Sequence, residues 1–338
     1  MLMILKMGVT QQQIDKLVDF IEKHKLKAHV SIGETKSIVG IIGDESKISK
    51  EHLESFDFVE KVMPVQKPYR RASREIHPEN TVIDVKGVKI GGNEITMIAG
   101  PCSIESEEQA FEIATALKKM GVKVYRGSAY KPRTSPYAFQ GLGLKALKIL
   151  RKIGDELGLV VETELMDIRN IEVVAKHVDM IRIGARNTQN FDLLKEVGKV
   201  DKPIILKNGV STTMEEWLFA AEYILNEGNN NVILCERGIR TYEPATRNTL
   251  NLSVIPILKE LTHLPVIVDP CHAAGKRGPI PALSKASVAV GADGLLIEVH
   301  NNPQVALSDA AQQLTPKDFE ILYNDLKRVA KSVDRTLV

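Results

Sequence analysis

Residues 159–165, LVVETEL, form a short apolar run that ends on two carboxylates, Glu162 and Glu164. Runs of this kind recur along the chain: ITMIAGPC (95–102), VKVYRGSAY (122–130), MIRIGA (180–185), PIILKNG (203–209), VILCERG (232–238), PVIVDPCH (265–272) and GLLIEVH (294–300). Nearly every one is followed by a helical pattern. Eight almost continuous apolar strands with helices between them predict a parallel sheet covered on its outer face. Eight units in about 240 residues predict a (β/α)8 barrel. A doubly wound open sheet is the alternative, and no Gly-x-Gly-x-x-Gly turn follows the first strand to support it.

In such a barrel the chemistry gathers at the C-terminal ends of the strands. Read in order, those ends carry Cys102, Arg126, Glu162 with Glu164, Arg186, Lys207, Glu236 with Arg237, Asp269 with His272, and Glu298 with His300. Every strand is expected to deliver an ionisable group to one rim.

The groups sort into two sets. Arg126, Lys131, Arg133, Arg186, Lys207 and Arg237 are expected to converge on one pocket. Arginine forks grip phosphate and carboxylate bidentately, and lysine acts as a point charge. Crowded cations repel one another unless a multiply charged anion, or more than one, sits among them. The competing reading is that single members pair with Glu162, Glu164, Glu236 or Asp269 as structural ion pairs. The second set is Cys102, His272, Glu298 and Asp309. A thiolate, an imidazole and two carboxylates suit a mixed site for one divalent transition metal ion. Only a barrel would bring strands one, seven and eight together. Without it, Cys102 reads as a small buried apolar residue and His272 as a core histidine.

The chain has 338 residues, with 45 Lys+Arg against 43 Asp+Glu and a formal charge of +2. That balance argues against general binding to nucleic acid or a membrane surface, so any basic site is local. Three scattered cysteines, Cys102, Cys235 and Cys271, suit a reducing cytoplasm rather than a disulfide framework. The opening MLMILKMGVT is too short for a signal peptide, and no stretch reaches the length of a membrane span. A soluble cytoplasmic protein is expected.

Residues 1–65 read differently, as β-α-β-β-α-β: MLMILKM, a helix with Ile14, Leu17, Val18 and Ile21 on one face, KAHVSIG and SIVGIIG about a polar turn at Glu34-Thr35-Lys36, KISKEHLESF, and DFVEKVMPV. This is the ferredoxin-like pattern, a small α+β domain. Residues 66–80, polar and basic, read as a linker, and 81–338 as the barrel, opened by a hairpin in TVIDVKGVKIGG that plugs its base.

Several long motifs, AGPCSIES, YRGSAYKPRTSPYAFQGLG, IGARNTQNF, LCERGIRTYEPATRNTL, VDPCHAAGKR and IEVHNNPQVALSD, resemble 3-deoxy-D-arabino-heptulosonate 7-phosphate (DAHP) synthases over about residues 80–335. The short barrel type with an N-terminal ferredoxin-like extension is the nearest in pattern. The resemblance implies a metal-dependent, aldol-like condensation of phosphoenolpyruvate with erythrose 4-phosphate, the first step of the shikimate pathway. It implies Cys102, His272, Glu298 and Asp309 as ligands of one divalent ion per subunit, Mn2+ or similar. Arg126, Lys131 and Lys207 would hold the phosphoenolpyruvate carboxylate and its neighbourhood, and Arg186, Lys207 and Arg237 its phosphate. Arg133, Thr134 and Ser135 would take the sugar phosphate. Lys131 would serve as general acid, and Glu164 or a metal-linked group would position water. A homotetramer is implied as well.

Three positions depart from the family pattern: Cys271 where serine is common, Asn301-Asn302 in place of a proline-containing run, and Ala310 where glycine is expected. The nearest rival is the sister enzyme that uses arabinose 5-phosphate to make 3-deoxy-D-manno-octulosonate 8-phosphate. Its loop reads Lys-Ala-Asn-Arg-Ser-Ser, whereas Lys131-Pro132-Arg133-Thr134-Ser135 favours the four-carbon sugar. The N-terminal domain is expected to sense tyrosine or phenylalanine, or else to serve as a plain oligomerisation module.

Overall fold

The computed structural model describes residues 1–33, 36–63 and 69–338. Two compact units result, divided after residue 68. Of the expected features, Glu34 and Thr35 of the polar turn, Pro64 and Val65 at the end of the last expected strand, and residues 66–68 of the linker lie outside the described residues.

The first unit runs β1 (Leu2–Leu5), α1 (Gln11–Lys23), β2 (Lys27–Ile32), β3 (Ser37–Ile42), α2 (Lys50–Glu54) and β4 (Val59–Met63). Its antiparallel sheet has the order β2-β3-β1-β4, the ferredoxin-like arrangement. Thr10 starts α1 with a capping box to Gln13, which satisfies backbone donors the first turn would leave open. Ile14, Leu17 and Ile21 then fall on one helical face and pack against Met3, Leu5, Val39 and Ile41 of the sheet.

In the second unit a hairpin, β5 (Ile83–Val85) and β6 (Val88–Ile90), precedes eight parallel strands. These are β7 (Glu94–Gly100), β8 (Val124–Arg126), β9 (Val160–Leu165), β10 (Met180–Ile183), β11 (Ile204–Lys207), β12 (Val232–Glu236), β13 (Val266–Val268) and β14 (Gly294–Glu298). Each pairs with the next in sequence, and β14 pairs with β7, so the sheet closes into a barrel. Helices α3 (Glu107–Met120), α4 (Leu144–Leu157), α5 (Ile171–His177), α6 (Phe191–Gly198), α7 (Met214–Asn226), α8 (Val254–Leu261), α9 (Pro270–Ala274), α10 (Ile280–Ala289) and α11 (Pro316–Ser332) follow the strands. No helix among the described residues is long and apolar enough to cross a membrane.

One apolar residue from every strand (Ile98, Val124, Val160, Met180, Ile205, Ile233, Ile267 and Leu296) clusters with the hairpin's Ile83, Val85, Val88 and Ile90. The hairpin thus closes the lower end of the barrel, and the open end is left for chemistry.

Residues 69–80 correct the expected linker. Glu222 on α7 accepts the backbone N–H groups of Arg70, Arg71 and Ala72. Ser73 bridges to Thr262, and the Arg74 guanidinium donates to the Lys259 carbonyl at 2.6 Å. Tyr69 and Ala72 are buried. The segment is polar in its side chains but held by its backbone, which side-chain patterning does not report.

Candidate active site

Side chains of a strand alternate between faces, so two residues beyond each apolar floor residue the same direction recurs. Those positions are Gly100, Arg126, Glu162, Arg182, Lys207, Cys235, Asp269 and Glu298. Six of the eight are charged, and all six are buried. Burying charge is costly unless it is paired, and here the pairs run around the barrel. Arg126 lies 3.1 Å from Glu298 and 3.9 Å from Glu162. Arg182 lies 3.1 Å from Glu162 and 3.2 Å from Glu164. Lys207 pairs with Asp269, which also faces His272 Nδ1 at 2.7 Å.

Above Glu298 the four groups of the expected metal set meet. Donor atoms of Cys102, Glu298 and Asp309 lie within 4.8 Å of one another. His272 Nε2 is 3.6 Å from both Glu298 Oε1 and Asp309 Oδ2. Asp269 lies against the other ring nitrogen and its Oδ1 accepts the His272 backbone N–H at 3.0 Å, which places a carboxylate behind the ring as behind a ligating histidine. Burial lowers the His272 pKa, which favours the neutral imidazole that binds metal. Burial, with Glu298 adding to it, pushes the Cys102 thiol up to about 12, with Lys131 only partly offsetting the rise. A thiol of that kind becomes a thiolate only beside a cation. The donor set therefore fits one divalent transition metal ion.

Asp309 takes a left-handed backbone conformation, φ 47°. Aspartate tolerates that region better than most residues. The turn leaves Gln312 able to donate to Glu298 at 2.6 Å and Gln313 to accept the Cys102 N–H at 2.9 Å. Both glutamines lie beyond the expected set, and no local periodicity marked them. Cys271, the departure from the family pattern, is buried, and its Sγ accepts the Glu298 N–H at 3.3 Å.

Beside the donor set opens a cavity of about 330 Å³. Lys131, Arg133, Thr134, Ser135, Arg186, Lys207 and Arg237 of the expected residues line it, with Glu164 and His272. Among the described residues neither Arg186 nor Arg237 has a carboxylate within 4.0 Å, so their charge is left for a guest. Arg237 is nearly buried, and among the described residues its guanidinium donates only to the carbonyls of Gly238 and His272. Glu164 is ionised despite burial, because Arg182, Lys131 and Lys207 outweigh it.

Some expectations need correction. Arg126 does not line the cavity: it is fully buried beneath it, donating to Glu298 and to the Cys102 carbonyl. Glu236 turns to the outer side of its strand, one residue out of step with Arg237. His300 is buried against Glu105, 3.5 Å away. Two cations were missed. Arg182 stands alone inside the apolar run MIRIGA, a signal that alternation could have revealed. Arg247, from a loop without periodicity, lines the cavity 3.9 Å from Asp309.

A closed (β/α)8 barrel whose mouth sets a thiol–imidazole–carboxylate donor group beside a cation-lined cavity defines an enzyme class that handles phosphorylated substrates with a metal ion's help. The family model described as the DAHP synthetase I family matches residues 76–335, and that of the DAHP synthase ferredoxin-like domain matches residues 1–67. The chain belongs to the DAHP synthetase I family. It is 50% identical over 333 residues to the phospho-2-dehydro-3-deoxyheptonate aldolase of Thermotoga maritima, covering 98% of each chain. A crystal structure of the Thermotoga maritima enzyme superposes with a TM-score of 0.95 at 48% identity, covering 100% of this chain and 99% of that one. A 2-dehydro-3-deoxyphosphooctonate aldolase of Koribacter versatilis is 34% identical over 270 residues, covering 74% of this chain and 96% of the relative.

Proposed function

We propose that this chain condenses phosphoenolpyruvate with D-erythrose 4-phosphate, giving 3-deoxy-D-arabino-heptulosonate 7-phosphate and inorganic phosphate. The observation that carries the reading is the cavity in which Arg186 and Arg237 lack carboxylate partners among the described residues, beside the Cys102, His272, Glu298 and Asp309 donors. Arg186, Lys207 and Arg237 hold the phosphate of phosphoenolpyruvate, and Arg133, Thr134 and Ser135 hold that of the sugar. Lys131 lines the same cavity, which supports a role for it toward both substrates. Arg126 orients Glu298 from below rather than gripping the carboxylate itself.

Cys102, His272, Glu298 and Asp309 would hold one divalent metal ion, Mn2+ or similar. When bound, it supplies Lewis-acid polarisation of the aldehyde oxygen. Carbon 3 of phosphoenolpyruvate bonds to the aldehyde carbon, and Lys131 gives its proton to the oxygen that gains charge. Water adds at carbon 2, oriented by the ionised Glu164, which takes its proton. Loss of inorganic phosphate from carbon 2 leaves the ketone. The arginines pre-order both anions and keep the reacting carbons in reach.

The loop Lys131–Ser135 and the higher identity to the heptonate enzyme support the four-carbon sugar over arabinose 5-phosphate. We propose further that the ferredoxin-like unit senses tyrosine or phenylalanine, and that the chain works as a cytoplasmic homotetramer. Following phosphoenolpyruvate absorbance in metal-stripped protein, with each sugar phosphate and with or without added Mn2+, tests the main reading. Metal-dependent turnover with erythrose 4-phosphate alone supports it. Turnover chiefly with arabinose 5-phosphate assigns the rival reaction, and silence with both removes the enzymatic reading.

A further inference from the structure

Glu236 ends β12, is 1% exposed, and is absent from the cavity that its neighbour Arg237 lines. Both its oxygens are nevertheless bonded, and among the described residues every partner is an uncharged donor. Oε1 accepts the N–H groups of Gly238 at 2.8 Å and Asn251 at 3.0 Å. Oε2 accepts Asn208 Nδ2 at 2.7 Å, and Asn208 Oδ1 in turn accepts the Arg237 N–H at 3.0 Å. The backbone of Arg237 is therefore fastened at its own nitrogen by Asn208 and one residue later by Glu236.

The order of these bonds carries information. A carboxylate only accepts, so it forces the Asn208 amide to present its NH2 to Glu236 and its oxygen to Arg237. Were the amide turned over, its NH2 would oppose the Arg237 N–H, and two donors would face each other in a buried place. Gly238 completes the turn at φ 90°, where a Cβ would stand 2.8 Å from Asn248 Cβ and 3.0 Å from Ala273 Cβ. The guanidinium itself has only two carbonyls, so its aim follows from this backbone. A buried carboxylate with no bonded cation among the described residues is a costly way to close a loop, and a neutral acceptor would do for a loop alone.

We propose that Glu236 and Asn208 are positioning residues that aim Arg237 into the cavity for a phosphate group. The inference rests on the reading of Arg237 as a phosphate ligand.

A swap of the two polar groups tests it. Glu236→Gln alone sets the new NH2 against that of Asn208, because its oxygen is held by Gly238 and Asn251. Asn208→Asp alone sets two carboxylates together. The double variant Glu236→Gln/Asn208→Asp lets the introduced amide donate to the introduced carboxylate, whose other oxygen accepts the Arg237 N–H, and all four bonds return. The readouts are KM for phosphoenolpyruvate, competition by inorganic phosphate, and KM for erythrose 4-phosphate. Each single variant should raise the first and weaken the second about tenfold, with the third and the metal content unchanged, and the double variant should return within about threefold of the parent. Additive losses in the double variant, or single variants that bind phosphate like the parent, would overturn the proposal. Should the single variants fail to fold, the double variant decides alone: parental phosphate competition supports the latch, and weakened competition or failure to fold refutes it. Arg237→Ala separates the two layers. If it leaves phosphate competition intact, the phosphate reading and the latch fall together. If it weakens competition while Glu236→Gln does not, only the latch falls.

Discussion

Lys131 Nζ lies 2.9 Å from Cys102 Sγ and 3.2 Å from the Cys102 carbonyl oxygen, so one ammonium joins the metal-donor set to the cation-lined cavity. The two residues come from the loops after neighbouring strands β8 and β7, and the direct pairing of those strands makes them adjacent. A proton donor held there is within reach of an oxygen placed between both groups. Lys131→Met is expected to lower kcat by about 10²–10⁴-fold while metal content by atomic emission stays at one per chain. Loss of the metal together with activity would instead mean that Lys131 serves the ligand set.

Metal uptake should depend on pH through Cys102. Its thiol is pushed up to about 12 by burial first and then by Glu298, and so is protonated at neutral pH. Burial lowers the His272 pKa and favours its neutral ring, so the thiol is the group with most to lose: it must give up a proton on binding. Affinity for a divalent ion should therefore rise about tenfold per pH unit between roughly pH 6 and 8. Competition titrations with a chelating dye across that window measure the slope. A flat profile would exclude Cys102 as a ligand.

Arg182 carries two carboxylates, Glu162 and Glu164, with all three side chains nearly or fully out of water. Arg182→Met removes the cation and leaves both anions buried. The expected loss is about 3–5 kcal/mol in urea unfolding, since breaking one side of a buried pair strands the other. A loss below about 1 kcal/mol would show that water or a shifted side chain replaces it.

The docking of residues 69–80 sets where the barrel unit begins. A chain starting at Tyr69 keeps the Glu222 bonds to residues 70–72 and the burial of Tyr69, whereas one starting at Thr81 loses both. The longer version should be more stable by about 2 kcal/mol or more, read as a higher Tm. Equal Tm values would make the segment dispensable. The same Tyr69 start tests effector sensing, because persistent inhibition by both tyrosine and phenylalanine would place the effector site elsewhere.

Much of this protein is legible in one dimension. Eight apolar runs, each ending in an ionisable residue, specify parallel strands with a polar mouth, because alternation and burial are local properties of a strand. Cys102, His272 and Glu298 of the metal set, with Arg186, Lys207 and Arg237 of the cavity, lie at or just beyond those ends for the same reason. Local patterning also carried the ferredoxin-like unit, where α1 repeats at helical period and the strands lie between polar turns.

Other features belong to the closed barrel alone. Glu236 and Arg237 alternate by the pleat of β12, but that Glu236 meets Asn208 beyond β11, and Asn208 in turn the Arg237 N–H, follows from the pairing of those two strands in the barrel. Arg126 meets Glu298 across 172 positions because β14 closes onto β7 beside β8, and that contact takes it from the cavity. Glu222 captures the backbone of residues 70–72 from about 150 positions away, a bond no side-chain pattern records. The sequence alone determined which residues could be charged and buried. The tertiary structure decided which charges pair and which stay open, because pairing of a buried charge depends on neighbours that only barrel closure supplies.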